Sequence, residues 1–529
     1  MKVPQTPLRC LERAVSLYGA RVGIVCGESE FTYAQFAARC GRLASGLRQL
    51  GLERGDRAAF LSFNTHKLLE GYYGVVQAGA IVMPLNVRLS QQELSVILNH
   101  SGARVVCFER DFAATAEALR AECPAVERWV GLDEATPPAD LTYEELLDSG
   151  RETLLDSMSV DEDSVAELFY TSGSTGTPKG VMLTHRNLYT HALMIATIMQ
   201  DSGHTVDLHT IPLFHANGWG RPQASTMLGT KQVMVRRFDP AAVFRLIEKH
   251  RATDMSLVPT MANMLLTSPA RGEHDLSSLR LVMIGGAASS PELIERMETA
   301  FGCQAFAGYG LTETSPVLTI GRLRPEFEAL PARERWRRQS MAGWPVAGVE
   351  LRLTDLAGQD VPRDGRSVGE IAARGDNVML GYYQEPAATA AVLRDGWFHT
   401  GDMAVWDEYG CVQIVDRKKE IIISGGENIS SLEVEKAIFS HPAVFECAVV
   451  AAPDEKWGEV PAAIVVVKPG ETLTAEALVE YLRGLLGHFK TPKVVEITDQ
   501  PLPKTGTGKI RKMVLRERFW AGREKRVQG

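Results

Sequence analysis

A strand-like run, VAELFY at 165–170, leads straight into TSGSTGTPKG at 171–180. These ten positions hold three glycines, two serines, three threonines and one lysine, a composition that few loops need. Glycines let a backbone turn tightly and bring N–H groups near an anion, hydroxyls donate to phosphate oxygens, and Lys179 adds a positive charge. A polyphosphate is the natural ligand. The GxxxxGK[ST] phosphate loop is excluded, because Gly180 and Val181 follow Lys179 where that loop places a Ser or Thr for magnesium. A flexible linker shares the composition, but the flanking strand and the embedded lysine argue against one.

The surrounding sequence alternates helix and strand. From Thr32, Phe36, Cys40, Leu43, Leu47 and Leu50 recur at helical spacing, Thr32 and Gln35 fit a capping box, and Gly51 suits the helix end. Ser90 and Glu93 open a second helix, expected to reach about Asn99, and RVVCF at 104–108 follows as a strand. Repetition of this grammar predicts an α/β layered fold, and 529 residues exceed one ordinary core. Near the other end, VFECAVVAAP and AAIVVVKPG read as strands and Ser430 to Glu433 caps a helix, enough for a small separate α+β unit. The stretch RPEFEALPARERWRR at 324–338 reads as a solvated loop or exposed helix.

Composition narrows the partners. A net charge of -8 disfavours nucleic acid, which asks for a basic face. Eight scattered cysteines without a CxxC pair suggest neither zinc nor a disulfide framework, and a reducing compartment fits them. No run of about 18 apolar residues occurs, and the opening MKVPQTPLRCLERAV carries charge where a secretory signal would be apolar, so the expected location is cytoplasmic with no integral membrane segment.

Further motifs carry chemistry. GGAASS at 285–290 follows the strand-like LRLVMI, the crevice position of α/β sheets. GYGLTET at 308–314 sets an aromatic residue and a carboxylate in a short glycine-flanked stretch, which by itself reads as a turn. His204, His209 and His215 are spaced by five and six, which does not suit a metal-binding helix face. PLPKTGTGKIRK at 501–512 places Lys509 among glycines and further basic residues.

In this order the motifs resemble the acyl-adenylate-forming (AMP-binding) superfamily, in its acyl-CoA synthetase and fatty-acid:CoA ligase branch. The resemblance implies a large multi-layer N-terminal domain at 1–416 and a small mobile C-terminal domain at 417–529, hinged near Lys419. It implies an ATP grip made by Thr171, Ser172, Gly173, Ser174, Thr175, Gly176, Thr177 and Lys179, with Thr175 and Glu313 at Mg²⁺. Gly285, Gly286 and Ala287 would line the adenine and acyl pocket, Tyr309 between Gly308 and Gly310 would stack on adenine, and Thr312 would meet the phosphate. Asp402 with Arg417 would hold the ribose, His215 would lie beside the carboxylate, and Lys509 would be the catalytic lysine of adenylation. Gly425, Gly426 and Glu427 would belong to a mobile loop at 425–428, and Arg88, Trp457, Phe489 and Lys493 would face CoA, although Thr491 stands where some relatives have a basic residue.

The implied activity is ATP-dependent formation of an acyl-adenylate and then an acyl-CoA thioester, with release of AMP and pyrophosphate. The implied partners are a small-molecule carboxylic acid, ATP and CoA, with a possible homodimer. FHANGW at 214–219 resembles fatty-acyl-CoA synthetases in which the tryptophan gates an apolar tunnel, which favours medium- or long-chain fatty acids; GGENIS at 425–430 is shared with aryl-CoA and medium-chain ligases. Aryl or short thioether acids are the alternative. A carrier-protein-loading adenylation enzyme is the other rival, although the motif order, which closes at 501–512, is the one expected of a stand-alone ligase.

Overall fold

The computed structural model describes residues 2–133, 137–152, 157–171, 178–199, 204–355, 357–418, 420–424, 427–504 and 510–521. Residues 172–177, Lys419, Gly425, Gly426 and Lys509 lie outside them. The chain divides into two compact units: the first comprises residues 1–351, 373–399 and 410–412, the second residues 352–372, 400–409 and 413–529.

The first unit contains two large sheets. One runs Gly381–Tyr382, Lys179–Thr184, Val165–Thr171, Ile81–Pro84, Arg57–Leu61, Val105–Phe108, Arg128–Gly131, Leu141–Thr142, parallel from Val165–Thr171 onward. The other runs Trp344–Pro345, Val317–Ile320, Gln304–Gly310, Leu281–Ile284, Asp254–Leu257, Val206–His209, Lys231–Met234, Val22–Cys26, Ser29–Thr32, with a parallel centre from Gln304–Gly310 to Val22–Cys26. Parallel strands require crossovers and lie buried on both faces, which is why VVCF and LVMI are wholly apolar and buried.

Local signals set the helices. Thr32 and Ser90 each form reciprocal capping boxes with Gln35 and Glu93. The second of these helices runs two residues past Asn99, to Ser101, before Gly102 turns left-handed. Phe36, Cys40, Leu43 and Leu47 are fully buried and pack on Leu68, Leu69, Tyr72 and Tyr73.

The stretch 324–338 differs from its sequence reading. Arg333 and Arg337 are exposed, but Phe327 stacks on Trp344 at 5.5 Å, Arg338 is buried over the Phe327 ring at 4.3 Å, and the Trp336 indole donates to Glu298 at 2.9 Å. Its guanidinium groups are partly spent on aromatic faces, so the segment is packed on one side.

In the second unit, Val444–Asp454 and Gly458–Val467 form a long hairpin, extended by Ile422–Ser424, Glu427–Ile429 and Val494–Thr498. Strand alternation separates its two faces. Cys447, Val449 and Ala451 pack with Val434, Ile438, Leu478 and Leu482 of two helices, whereas Ala448, Val450 and Ala452 pack with Leu515 of the helix Lys512–Trp520. Among the described residues no helix is long and apolar enough to cross a membrane.

Candidate active site

The glycine-rich segment joins two antiparallel strands, with Thr171 opposite Lys179 and Tyr170 opposite Gly180. Of its predicted contacts only Thr171 and Lys179 lie among the described residues. The next strand outward, Gly381–Tyr382, pairs with Val181 and Met182, and that pairing places the Tyr382 ring 5.0 Å from the Lys179 ammonium. The Tyr382 hydroxyl donates to Glu313 Oε1 at 2.9 Å. Burial, and then the adjacent Glu313 carboxylate, push the Tyr382 phenol well above its ordinary range, so it remains a donor. Lys179, Tyr382 and Glu313 thus form one cluster from three separate segments.

The turn Thr312–Thr314 that presents Glu313 is held from several directions. Met379 N–H donates to the Glu313 carbonyl at 2.8 Å, the Asn377 amide to the Thr314 carbonyl at 2.8 Å, and the Ser315 hydroxyl to the Asn377 carbonyl at 2.8 Å. The Thr314 hydroxyl accepts from Leu311 N–H at 3.1 Å and donates to the Pro316 carbonyl. Gly310 is required, since a Cβ there would lie 1.9 Å from the Pro316 oxygen. A carboxylate so fixed, with one oxygen engaged by a phenol, is a hard donor of the kind Mg²⁺ takes in nucleotide sites.

Gly285 ends the strand Leu281–Ile284, and Gly308 lies in the neighbouring parallel strand, where Ile284 stands opposite Ala307. A Cβ on Gly285 would meet the Gly308 carbonyl at 3.0 Å and the Trp219 indole at 3.1 Å; one on Gly286 would meet the indole at 3.4 Å. Small residues at this strand end therefore make room for Trp219, itself buried. Gly286 and Ala287 are exposed, and Tyr309 and Thr312 are partly buried.

Partly buried His215 precedes the helix Ala216–Leu228, whose first turn is unusual: Ala216, Gly218, Trp219 and Gly220 have φ of 45°, 50°, 65° and 72°. Two non-glycine residues in that region are costly and persist only where surroundings fix them. Asn64 donates to the His209 and Ile211 carbonyls at 3.0 and 2.9 Å and accepts from Leu213 N–H at 2.7 Å, and the Tyr72 hydroxyl donates to the Leu213 carbonyl at 2.7 Å. Farther along the helix, Arg221 donates to Asp207 from Nε at 2.9 Å and from Nη2 at 2.6 Å, and Gln223 donates to Glu167 at 3.3 Å. Burial pushes the Asp207 carboxyl up, but the Arg221 charge, the neighbouring His209 and the hydrogen bonds from Arg221 and Ser225 together outweigh it and hold the group below its ordinary value.

In the second unit, Arg417 Nε lies 3.0 Å from Asp402 Oδ1, the carboxylate nearly buried and the guanidinium half exposed. Lys418 N–H donates to the Gly401 carbonyl at 2.8 Å, bringing the two segments together. Glu427 pairs with Ser424, and Ser424 also pairs with Gly458, next to exposed Trp457. Phe489 and Lys493 are exposed on a different segment, between the helix Ala475–Arg483 and the strand Val494–Thr498, and Thr491 between them is buried. Arg88, in the first unit, is exposed.

Sequence reading missed Tyr382, Asn377, Asn64, Tyr72, Arg221 and His191. The motif GDNVMLGYY at 375–383 offered two glycines and two tyrosines, but nothing in it names Glu313 as a partner.

Residues 11–383 match the family AMP-binding enzyme and residues 433–509 the family AMP-binding enzyme C-terminal domain. The long-chain-fatty-acid–CoA ligase of Thermus thermophilus is 40% identical over 518 residues, covering 96% of this chain and 94% of the relative. The 4-hydroxybutyrate–CoA ligase 2 of Metallosphaera sedula is 37% identical over 523 residues, covering 97% and 94%. The feruloyl-CoA synthase of an Amycolatopsis species is 40% identical over 499 residues, covering 93% and 95%. The crystal structure of ATP-bound MatB from Rhodopseudomonas palustris superimposes with a TM-score of 0.85 at 28% identity, covering 98% of this chain and 99% of that one.

Proposed function

This chain belongs to the AMP-binding enzyme family and is an AMP-forming acid:CoA ligase that uses ATP, Mg²⁺ and CoA, and from that premise we propose how its residues divide the work and which acid it takes. The observation that carries the proposal is the Lys179–Tyr382–Glu313 cluster.

A carboxylate is a poor acylating agent because its leaving group would be oxide. In the first half-reaction its oxygen bonds to the α-phosphorus of ATP, the bond to the bridging oxygen breaks, and pyrophosphate leaves. Such a displacement is catalysed mainly by positioning and by neutralising charge. Lys179 and the donors of 171–177 hold the phosphates, Glu313 with Thr175 would hold Mg²⁺, and Lys509 bridges the acid and the nucleotide. When bound, the metal supplies positive charge against the phosphate oxygens. Tyr309 and Gly285 to Ala287 take the adenine and the acyl entrance, Thr312 meets the phosphate, and Asp402 with Arg417 takes the ribose. In the second half-reaction the CoA sulfur bonds to the acyl carbon, AMP leaves with the electron pair of the broken C–O bond, and the thiol proton passes to solvent. Domain 417–529 turns about Lys419 between the two steps, withdrawing Lys509 and bringing the loop of Gly425, Gly426 and Glu427 inward. Arg88, Trp457, Phe489 and Lys493 face CoA.

The acid we propose is a medium- or long-chain fatty acid, with His215 beside its carboxylate and Trp219 bounding its chain. The apolar indole set against Gly285 and Gly286 supports this reading, as does the Thermus relative's name. The other relatives are named for 4-hydroxybutyrate and ferulate, so the assay must range widely. AMP formation is measured across acids of about two to eighteen carbons and benzoates. A maximum on short or aryl acids would sink the fatty-acid reading and leave the ligase intact. Lys509→Ala is expected to cut acyl-adenylate formation by about 10²–10³ while sparing thioester formation from supplied acyl-AMP. Equal losses in both halves would end the two-geometry scheme.

A further inference from the structure

We propose that His191 is a positioning residue that locks the left-handed turn at 216–220 against the Glu313 turn, so that acid and ATP bind with coupled affinities through it. The proposal rests on the reading that Trp219 bounds the acid and Glu313 faces the ATP phosphates.

His191 lies on the buried face of the helix His185–Met199, beside Leu188, Ala192 and Ile195. Its Nε2 accepts from Val317 N–H at 3.0 Å. That bond requires a lone pair on Nε2 and puts the ring proton on Nδ1. Complete burial pulls the imidazole down to about 3, so it is neutral at every working pH. Val317 is the first residue after Pro316, and the Pro316 carbonyl already takes the Thr314 hydroxyl and Leu311 N–H at 3.1 Å. The imidazole therefore ties down the point where the loop presenting Glu313 closes.

The same ring is pressed against Gly220. A Cβ there would lie 2.2 Å from His191 Cε1, 2.3 Å from Nδ1 and 3.3 Å from the Ser315 carbonyl. Gly220 follows Trp219 in the left-handed turn, and the indole rests on Gly285 and Gly286. One rigid ring thus spaces the acid-side turn from the nucleotide-side turn. Displacing either turn displaces its hydrogen bond or its packing, and close-packed interiors transmit such displacements. Neither half-reaction needs a proton from His191, and it is not catalytic.

The test uses the full-length enzyme with Mg²⁺. Binding of a non-hydrolysable ATP analogue is measured by calorimetry with no acid and with saturating acid of the best-used class, giving a coupling factor α. By linkage, the acid's affinity must change by the same α when the analogue is bound. The wild type should show α of about five or more. His191→Leu keeps bulk but removes the acceptor, and is expected to bring α within about two-fold of one while raising KM for acid and ATP together. His191→Gln can set Oε1 near the Nε2 position, and should keep α and both KM values within about three-fold of wild type. Gly220→Ala should behave like His191→Leu. A wild-type α near one, α retained in His191→Leu, or His191→Gln as impaired as His191→Leu overturns the proposal. If His191→Leu fails to fold, Gly220→Ala decides; if that also fails, His191→Asn does, because its shorter amide withdraws the acceptor while staying polar. Trp219→Ala is run in parallel: an unchanged acid KM and chain-length profile would reject the Trp219 reading itself, whatever α shows.

Discussion

Replacing Tyr382 with Phe removes one hydroxyl and nothing else from the nucleotide side of the site. The ring would stay in place, because strand pairing of Gly381 and Tyr382 with Met182 and Val181 fixes it and the side chain is almost wholly buried. Its face would remain 5.0 Å from the Lys179 ammonium, while the 2.9 Å bond to Glu313 Oε1 would be lost. A hydrogen bond to a charged group contributes about 1.5–3 kcal/mol. Glu313 is partly exposed, so water would recover roughly half of that, leaving a loss of about 0.75–1.5 kcal/mol. At about 1.4 kcal/mol per factor of ten, kcat/KM for ATP should fall about three- to twelve-fold in acid-dependent ATP–pyrophosphate exchange. Tyr382→Leu also removes the aromatic face and should lose a further two- to five-fold, from about 0.5–1 kcal/mol of cation–π attraction. Thioester formation from supplied acyl-AMP should stay near wild type in both. Because the phenol is held protonated far above neutrality, the Tyr382→Phe deficit should not vary between about pH 6 and 9. Wild-type exchange in Tyr382→Phe, or equal loss in thioester formation, would refute the assignment of this bond to the first half-reaction.

Two further outcomes are expected. Asp402→Asn keeps the shape of the site but discharges the partner of Arg417, so AMP measured by calorimetry should bind about ten-fold more weakly, and unchanged affinity would remove Asp402 from the nucleotide site. His185 and His191 are buried neutral, with values lowered by burial to about 4 and about 3. Below about pH 6.5 the unfolded chain takes up protons that the folded one refuses, so their stabilisation is complete above that pH and is lost as pH falls toward those values. At pH 5 each should cost about 2 kcal/mol of unfolding free energy, read as a lower urea midpoint than at pH 7, and matching midpoints would contradict it.

Which parts of the fold and site were legible follows from where each signal sits. The capping boxes at Thr32 and Ser90 and the alternating faces of Val444–Asp454 are properties of consecutive residues, so composition and period reveal them. The strand before the glycine-rich loop and the strand end at Gly285 were legible for the same reason. Tyr382 and Glu313 are 69 positions apart, Val317 and His191 126, and Leu213 and Asn64 149. No period links such pairs, and each partner alone is an ordinary polar residue. The misreading of 324–338 has the same origin, since Phe327 and Arg338 find an aromatic stack that no local pattern announces.

Gly220 sharpens the point. Within ANGWG it reads only as a residue that disfavours a helix, and its left-handed φ of 72° would satisfy that reading. The imidazole 2.2 Å from where its Cβ would stand gives a second and stronger reason for the missing side chain. The two reasons make different predictions. Were φ alone responsible, an Asn, which tolerates the left-handed region better than Ala, should be the milder replacement. Were the imidazole responsible, Asn should be at least as damaging as Ala, because both carry a Cβ and Asn adds bulk in a space already closed by His191 and the Ser315 carbonyl.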